Sequence, residues 1–154
     1  MDAQSTVLDN ASIEATTPDQ ILQTALAGQG NIHKAADQFH DHFTFTDHAL
    51  GLEFKDKRRL IEFLEKIREL FPDSERKAKT IFSSGDRVIS EWTLTATKAE
   101  PFLFGRLRKV PICVRGISVV QLKNGKISEW SDYYDQLKSW RSGLAAWFSE
   151  WIEL

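Results

Sequence analysis

Hydrophobic and polar residues follow two rhythms along this chain, a mainly helical one in the first half and an alternating one in the second. Residues 17–20, "TPDQ", predict a helix start. Thr17 can cap it, Pro18 suits the first turn, and Gln20 closes a capping box. Ile21, Leu22, Ala25 and Leu26 then make an apolar stripe, which Gly28 and Gly30 end. Asn31 predicts the cap of a second helix with Ile32, Ala35, Ala36 and Phe39 facing inward, so His40 falls at its end. Residues 43–47, "FTFTD", alternate instead: Phe43, Phe45 and Asp47 share one face, Thr44 and Thr46 the other. A long helix is predicted from about Asp56 to Phe71, striped by Leu60, Leu64, Ile67 and Phe71 and stopped by Pro72.

Four strands follow, over 75–83, 87–98, 110–122 and 126–135. The second puts Trp92, Leu94 and Ala96 on one face and Glu91, Thr93 and Thr95 on the other; the third is apolar on both faces near its middle. Asn124-Gly125 is a hairpin signal. Residues 136–152 return to helical spacing, with Trp140, Leu144, Trp147, Phe148 and Trp151 on one stripe. That stripe suits packing on the sheet or at a dimer interface, a lid over a pocket, or a membrane-surface helix. Residues 1–16 are small and polar and read as a flexible tail; 17–154 read as one domain. Helices first and a meander last predict an α+β fold, with N-terminal helices on the concave face of a curved, mainly antiparallel sheet. The interior of such a cone is a natural pocket.

Ten Phe and five Trp against two Tyr favour a large apolar core, cavity or interface. A net charge of −2 makes no electrostatic case for nucleic acid or an anionic membrane, so neither is an expected partner. The basic clusters Lys57-Arg58-Arg59 and Arg106-Leu107-Arg108-Lys109 read as solvated faces rather than anion sites. Cys113, the single cysteine, permits no intrachain disulfide, and its run "VPICV" predicts buried packing. Residues 1–17 lack the basic start and apolar stretch of a signal peptide, and the expected location is the cytoplasm. His40, His42 and His48 cluster with Asp41 and Asp47, but their spacing forces no convergence. We therefore expect no metal and no cofactor, and read His48 as a donor at a pocket mouth.

The chemistry centres on two carboxylates. Asp47 follows Phe43 and Phe45 on their face, and Asp132 lies between Trp130 and Tyr134 on theirs. An ion on an apolar face needs a partner, a proton or a task. Two carboxyl groups converging on one cavity can divide acid and base roles. The alternative is structural: a turn cap, or an ion pair with Arg115. Trp92, Val114, Trp130 and Tyr134 are expected to line the cavity, with Phe45 and Leu94 beside them.

The stretches "GNIHKAADQFHDHFTFTD" and "VRGISVVQLKNGKISEWSDYYD" resemble the nuclear-transport-factor-2-like superfamily, a cone-shaped α+β fold. The resemblance covers roughly residues 18 to 138 and is nearest to its SnoaL-like cyclase, limonene-1,2-epoxide-hydrolase-like and ketosteroid-isomerase-like branches. In the hydrolase pattern "WSDYYD" gives Asp132 as the pocket carboxylate. That family's earlier Arg and Asp fall at Trp92 and Leu94, and its water-holding Tyr and Asn at Phe45 and Asp47, so the hydrolytic set is broken. In the isomerase pattern "FTDHALG" gives Asp47 as base, while the oxyanion donors fall near Gln23 and Ser118. The SnoaL-like pattern gives Asp132 or Asp135 as acid/base. The resemblance also implies a homodimer formed through sheet faces. Together these readings predict an enzyme using Asp132 and Asp47 on an apolar cyclic or terpenoid-like substrate, of isomerase, cyclase or epoxide-hydrolase-like type. Phe45, His48, Trp92, Leu94, Val114, Ser118, Trp130 and Tyr134 are its expected binding positions. A non-catalytic binding protein with the same pocket, or an interaction subunit, are the alternatives.

Overall fold

The computed structural model describes residues 17–26, 31–101, 104 and 106–135. The expected tail 1–16 and C-terminal helix 136–152 lie outside the described residues. Helix α1 spans Pro18–Leu26 behind the predicted capping box: the Thr17 amide donates to Gln20 Oε1 at 2.8 Å, and the Gln20 amide to Thr17 Oγ1 at 3.3 Å. Helix α2, Ile32–Ala36, starts as predicted at Asn31, whose side chain accepts from the Lys34 amide at 3.0 Å. It ends earlier than expected. Phe39 opens strand β1, Phe39–Asp47, and His40 lies in that strand. Phe39 is four residues from both Ala35 and Phe43, so it suits a helical stripe or a strand face equally; pairing with a neighbouring strand decides the matter.

Strand β2, Leu52–Phe54, has three residues and shows no period that the sequence could reveal. Helix α3 spans Lys57–Leu70, capped by Asp56 through the Arg59 amide at 3.0 Å. Leu60 of its predicted stripe is buried, but the other buried residue is Phe63; Leu64 and Ile67 are half-buried. Strands β3 Glu75–Ser84, β4 Arg87–Pro101, β5 Leu107–Lys123 and β6 Lys126–Tyr134 form the meander. Asn124 and Gly125, at φ 52 and 70, close the last hairpin with the paired positive angles of a type I′ turn.

The six strands run in the order β2-β1-β6-β5-β4-β3. Only β1 and β6 are parallel among these neighbours. The sheet is curved and unclosed, and the fold is α+β as expected. On its concave face Phe39, Phe43, Phe45, Val88, Val120 and Trp130 pack into one core with Leu22 and Leu60 from the helices. The other face exposes Phe82, Ile89, Ile117 and Tyr133. Cys113 is exposed there too, contrary to the expected buried packing. Alternation explains this: Ile112 and Val114 on either side of it point inward.

One row of the concave face depends on a glycine. Gly116 pairs with Trp92 on β4 and Tyr134 on β6. A Cβ there would lie 2.3 Å from Trp92 Cζ2 and 2.8 Å from the Tyr133 carbonyl oxygen. The missing side chain is the space in which the indole lies. Gly116→Ala should cost about 1–3 kcal/mol, the usual range for overpacking. The penalty should shrink in a Trp92→Phe background, because the clash is mainly with the indole. Urea denaturation of the two single variants and the double variant checks this.

Candidate active site on the concave face

Parallel pairing sets Asp47 of β1 directly beside Asp132 of β6. Antiparallel pairing then sets Ser118 of β5 beside Asp132, and Ser90 of β4 beside Ser118. These four are the buried polar residues among the described residues, and they form one rung across four strands.

Asp132 is an ion with every need met. Its Oδ1 accepts from Arg76 Nη2 at 2.8 Å, Ser118 Oγ at 2.5 Å and Trp130 Nε1 at 2.7 Å; its Oδ2 accepts from Arg76 Nη1 at 3.1 Å. Ser118 Oγ in turn accepts from Trp92 Nε1 at 2.9 Å and Arg76 Nη2 at 2.8 Å. The guanidinium lies 3.8 Å over the Trp92 ring. A bidentate, charge-assisted contact with satisfied lone pairs makes a buried carboxylate tolerable. The sequence offered Arg115 as a structural partner. Arg115 is exposed, because it alternates outward between the inward residues Val114 and Gly116. The partner is Arg76 of β3, which the sequence reading missed.

Asp47 is held differently. Its Oδ1 accepts the amides of Ala49 and Leu50 at 3.0 and 2.9 Å, capping the turn after β1. Its Oδ2 accepts the Tyr134 hydroxyl at 2.9 Å. Burial raises the proton affinity of Asp47 above that of an ordinary aspartate, and the charge of Asp132 raises it further; the bonds from Leu50, Tyr134 and Ala49 offset only part of this. Burial, then the charge of Asp47, push the Tyr134 phenol far above its usual range, so Tyr134 keeps its proton. Asp47 is thus both a turn cap and a carboxyl group that keeps its proton more readily than an ordinary aspartate.

A cavity of about 150 Å³ lies between sheet and helices. Ala25 and Leu26 of α1, Ile32 of α2 and Phe63, Leu64 and Ile67 of α3 supply its helical wall, with Leu50 and Phe71 from the loops. The sheet supplies Phe45, Asp47, Arg76, Trp92, Leu94, Val114, Asp132 and Tyr134. Seven of those eight were candidate positions in the sequence; Arg76 was not. Three other candidates do not line the cavity. His48 is exposed and stacks on Tyr133 with ring centres 4.3 Å apart. Ser118 is completely buried within the Asp132 hydrogen-bond network, and Trp130 packs against Phe39 and Phe45. Asp135, the alternative acid/base position, is exposed just past the end of β6. Among the described residues no group of three or more His, Cys, Asp or Glu is placed to hold a metal ion. None of their helices is long and apolar enough to cross a membrane.

Residues 20–142 match the profile of the SnoaL-like polyketide cyclase family. No curated protein matches the chain in sequence. Among solved structures, a SnoaL-like protein from a Jannaschia species is 18% identical, with a TM-score of 0.68 over 90% of this chain and 98% of that one. A candidate polyketide cyclase from Acidithiobacillus ferrooxidans is 24% identical, with a TM-score of 0.65 over 85% and 96%. A protein of ketosteroid-isomerase-like fold from Catenulispora acidiphila, in complex with trimethylamine, is 17% identical, with a TM-score of 0.66 over 77% and 88%. At these identities the likeness shows the fold.

Two outcomes follow from the pairing. Asp132→Asn would relieve a bare buried charge, but here it strands Arg76. Breaking the pair from either side, by Asp132→Asn or Arg76→Met, should cost about 3–5 kcal/mol. The combined Arg76→Met/Asp132→Asn protein should lose less than the sum, and a double-mutant cycle in urea reads the difference. Asp47 gives a pH signature. Its folded proton affinity exceeds the unfolded one, so its contribution to stability falls as pH rises from the ordinary 3.8 through the folded pKa and is level above it. Asp47→Asn lacks that loss, so the variant should gain on wild type as pH rises from about 4 to about 8. Thermal melts of both proteins across that range should show a difference growing with pH.

Proposed function

The chain belongs to the SnoaL-like polyketide cyclase family, and from that premise we propose an enzyme that moves a proton on an apolar small molecule, with Asp47 as acid and base. The observation that carries this reading is the asymmetry between the two carboxyl groups on the cavity wall. Asp132 has its charge neutralised and its hydrogen-bond capacity taken up by Arg76, Ser118 and Trp130. Asp47 has no cation in hydrogen-bond contact, holds its proton more tightly than a free aspartate, and lies on the same wall. A base with raised proton affinity in an apolar pocket is suited to removing a weakly acidic C–H and returning the proton elsewhere.

The roles divide accordingly. Ionised Asp47 takes a proton from carbon next to a carbonyl. The Ala49 and Leu50 amides fix Oδ1, so Oδ2 does the work. Tyr134 orients Oδ2 through its hydroxyl. Asp132 and Arg76 hold a fixed electrostatic frame; burial does most to keep the proton affinity of Asp47 high, and the nearby Asp132 carboxylate adds to it. Returning the proton at a second carbon is an isomerisation; attack of the resulting carbanion on an electrophile within the same molecule is a cyclisation. Nothing in this arrangement supplies the Arg and Asp of an epoxide hydrolase at Trp92 and Leu94, and we favour isomerase or cyclase chemistry.

A second reading is a non-catalytic binding protein for an apolar ligand. The enclosure of Asp132 in its own network favours it, because one free carboxyl group is fewer than a two-carboxylate mechanism needs. We also propose that copies of the chain pair through the outer sheet face, where Phe82, Ile89, Ile117 and Tyr133 are exposed together on neighbouring strands. The cytoplasm is the proposed location, and the working ligand an apolar cyclic molecule.

Deuterium uptake by cyclohexanone or cyclohex-2-enone in D₂O, followed by proton NMR, tests the enzyme reading. Wild type should accelerate exchange next to the carbonyl. Asp47→Asn should abolish the acceleration, and Tyr134→Phe should lower it by roughly 10²-fold, the low end of what a positioned acid–base group contributes. Binding of these ketones without exchange would leave the binding-protein reading in its place.

A further inference from the structure

The cavity's size and the charge balance of its polar end restrict what can occupy it. About 150 Å³ is the volume that holds one benzene in an apolar protein cavity, and is too small for three fused rings. Phe45, Leu64, Ile67, Phe71 and Leu94 line it with rigid or branched apolar surface. Its polar groups come from Asp47, Tyr134, Arg76 and Asp132.

That polar end disfavours ions of either sign. A cationic ligand would meet the Arg76 guanidinium, which already occupies the Trp92 face at 3.8 Å. An anionic ligand would meet two carboxyl groups, and the one guanidinium nearby has its charge paired with Asp132 and both Nη groups engaged by Asp132 and Ser118, with only its buried Nε left without a hydrogen-bond partner. A neutral oxygen is different. Asp47 Oδ1 is committed to two backbone amides, so a proton on Asp47 sits on Oδ2. It then donates to the Tyr134 oxygen, and the phenol hydrogen turns away to donate to a ligand acceptor. When Asp47 is ionised, the phenol donates back to it, and Oδ2 keeps a lone pair for a ligand hydroxyl.

We propose that this cavity takes a neutral, single-ring molecule carrying one carbonyl or hydroxyl oxygen against the Asp47–Tyr134 pair, and that fused polycyclic molecules do not enter. The inference rests on the proposed role of that pair and adds the size and charge of its ligand. Family membership alone does not imply it.

Ligand-observed NMR with seven probes tests it on the whole chain. Cyclohexanone and phenol should bind. Toluene, of similar size without oxygen, should bind about tenfold more weakly, as expected for the loss of one buried hydrogen bond. Benzoate, benzylamine and anthrone should show no binding at the concentration that saturates with cyclohexanone. Tyr134→Phe should abolish the preference of cyclohexanone over toluene, and Leu64→Ala, which removes wall, should admit 1-tetralone that wild type rejects. Anthrone binding to wild type as well as cyclohexanone overturns the size limit. Benzoate or benzylamine binding more tightly than phenol overturns the neutrality, and failure of every single-ring probe overturns the whole. Oxygen-dependent binding without deuterium exchange defeats the enzyme reading and leaves this one standing.

Discussion

Arg76 and Asp132 meet only because the sheet bends. Arg76 is on the edge strand β3, and Asp132 is three strands away on β6. In a flat sheet those strands lie roughly 14 Å apart. The Arg76 row crosses β5 at Val114, four residues from Ser118 beside Asp132, which adds about 13 Å along the strand. Two side chains cannot bridge that diagonal. Coiling of the sheet brings its corners together, and the register shift in β3 between Ala78 and Thr80 is the kind of bulge that sharpens such a bend. The ion pair in turn fixes the curvature, since flattening would leave two unpaired charges in an apolar interior. The cavity is the space under this bend.

The same constraint explains the choice of neighbours. The guanidinium needs a flat, polarisable surface to cross, and Trp92 provides it. An indole large enough for that needs room on the next strand, which Gly116 leaves open. An indole N–H needs an acceptor when buried, and both indoles among the described residues find one: Trp92 on Ser118, Trp130 on Asp132. The polar rung from Asp47 to Ser90 is therefore not a scatter of tolerated residues. Ser118 completes the hydrogen-bond network of Asp132, Ser90 donates to the Glu91 carbonyl instead, and Asp47, at the other end, is coupled to that network by charge rather than by a hydrogen bond.

Much of this was legible in the chain, for identifiable reasons. Alternation in 87–98, 110–122 and 126–135 reflects burial of one face of each strand, interrupted in β6 where Ile127 and Trp130 are both buried across a register shift, and it placed Trp92, Leu94, Val114, Asp132 and Tyr134 correctly on one face. The helix caps at Thr17 and Asn31, and the helix start near Asp56, are local chemistry and needed no tertiary context. The start of β1 was misread because Phe39 suits both periods. Arg76 left no trace: within "ERKAKT" it is one cation among three, and only the curvature selects it. Alternation did carry one unused warning, that Arg115 points away from Asp132. Likewise His48 follows the strand's last inward residue, and its outward direction could have been read from Asp47.

The two aspartates show how one fold gives like residues unlike chemistry. They sit side by side in register, equally deep in the sheet, so depth alone cannot separate them. Partners do. Asp132 faces along the diagonal that delivers a guanidinium; Asp47 faces a turn that delivers amides and a phenol. Neutral donors stabilise an anion less than a cation does, and at Asp47 they offset only part of the push that burial gives toward the neutral form. The charge left on Asp132 pushes it the same way. An ion pair that helps hold the sheet bent thereby also adds to the proton affinity of the group beside it, which burial under that same bend raises most, so the shape of the cavity and the chemistry available in it are linked.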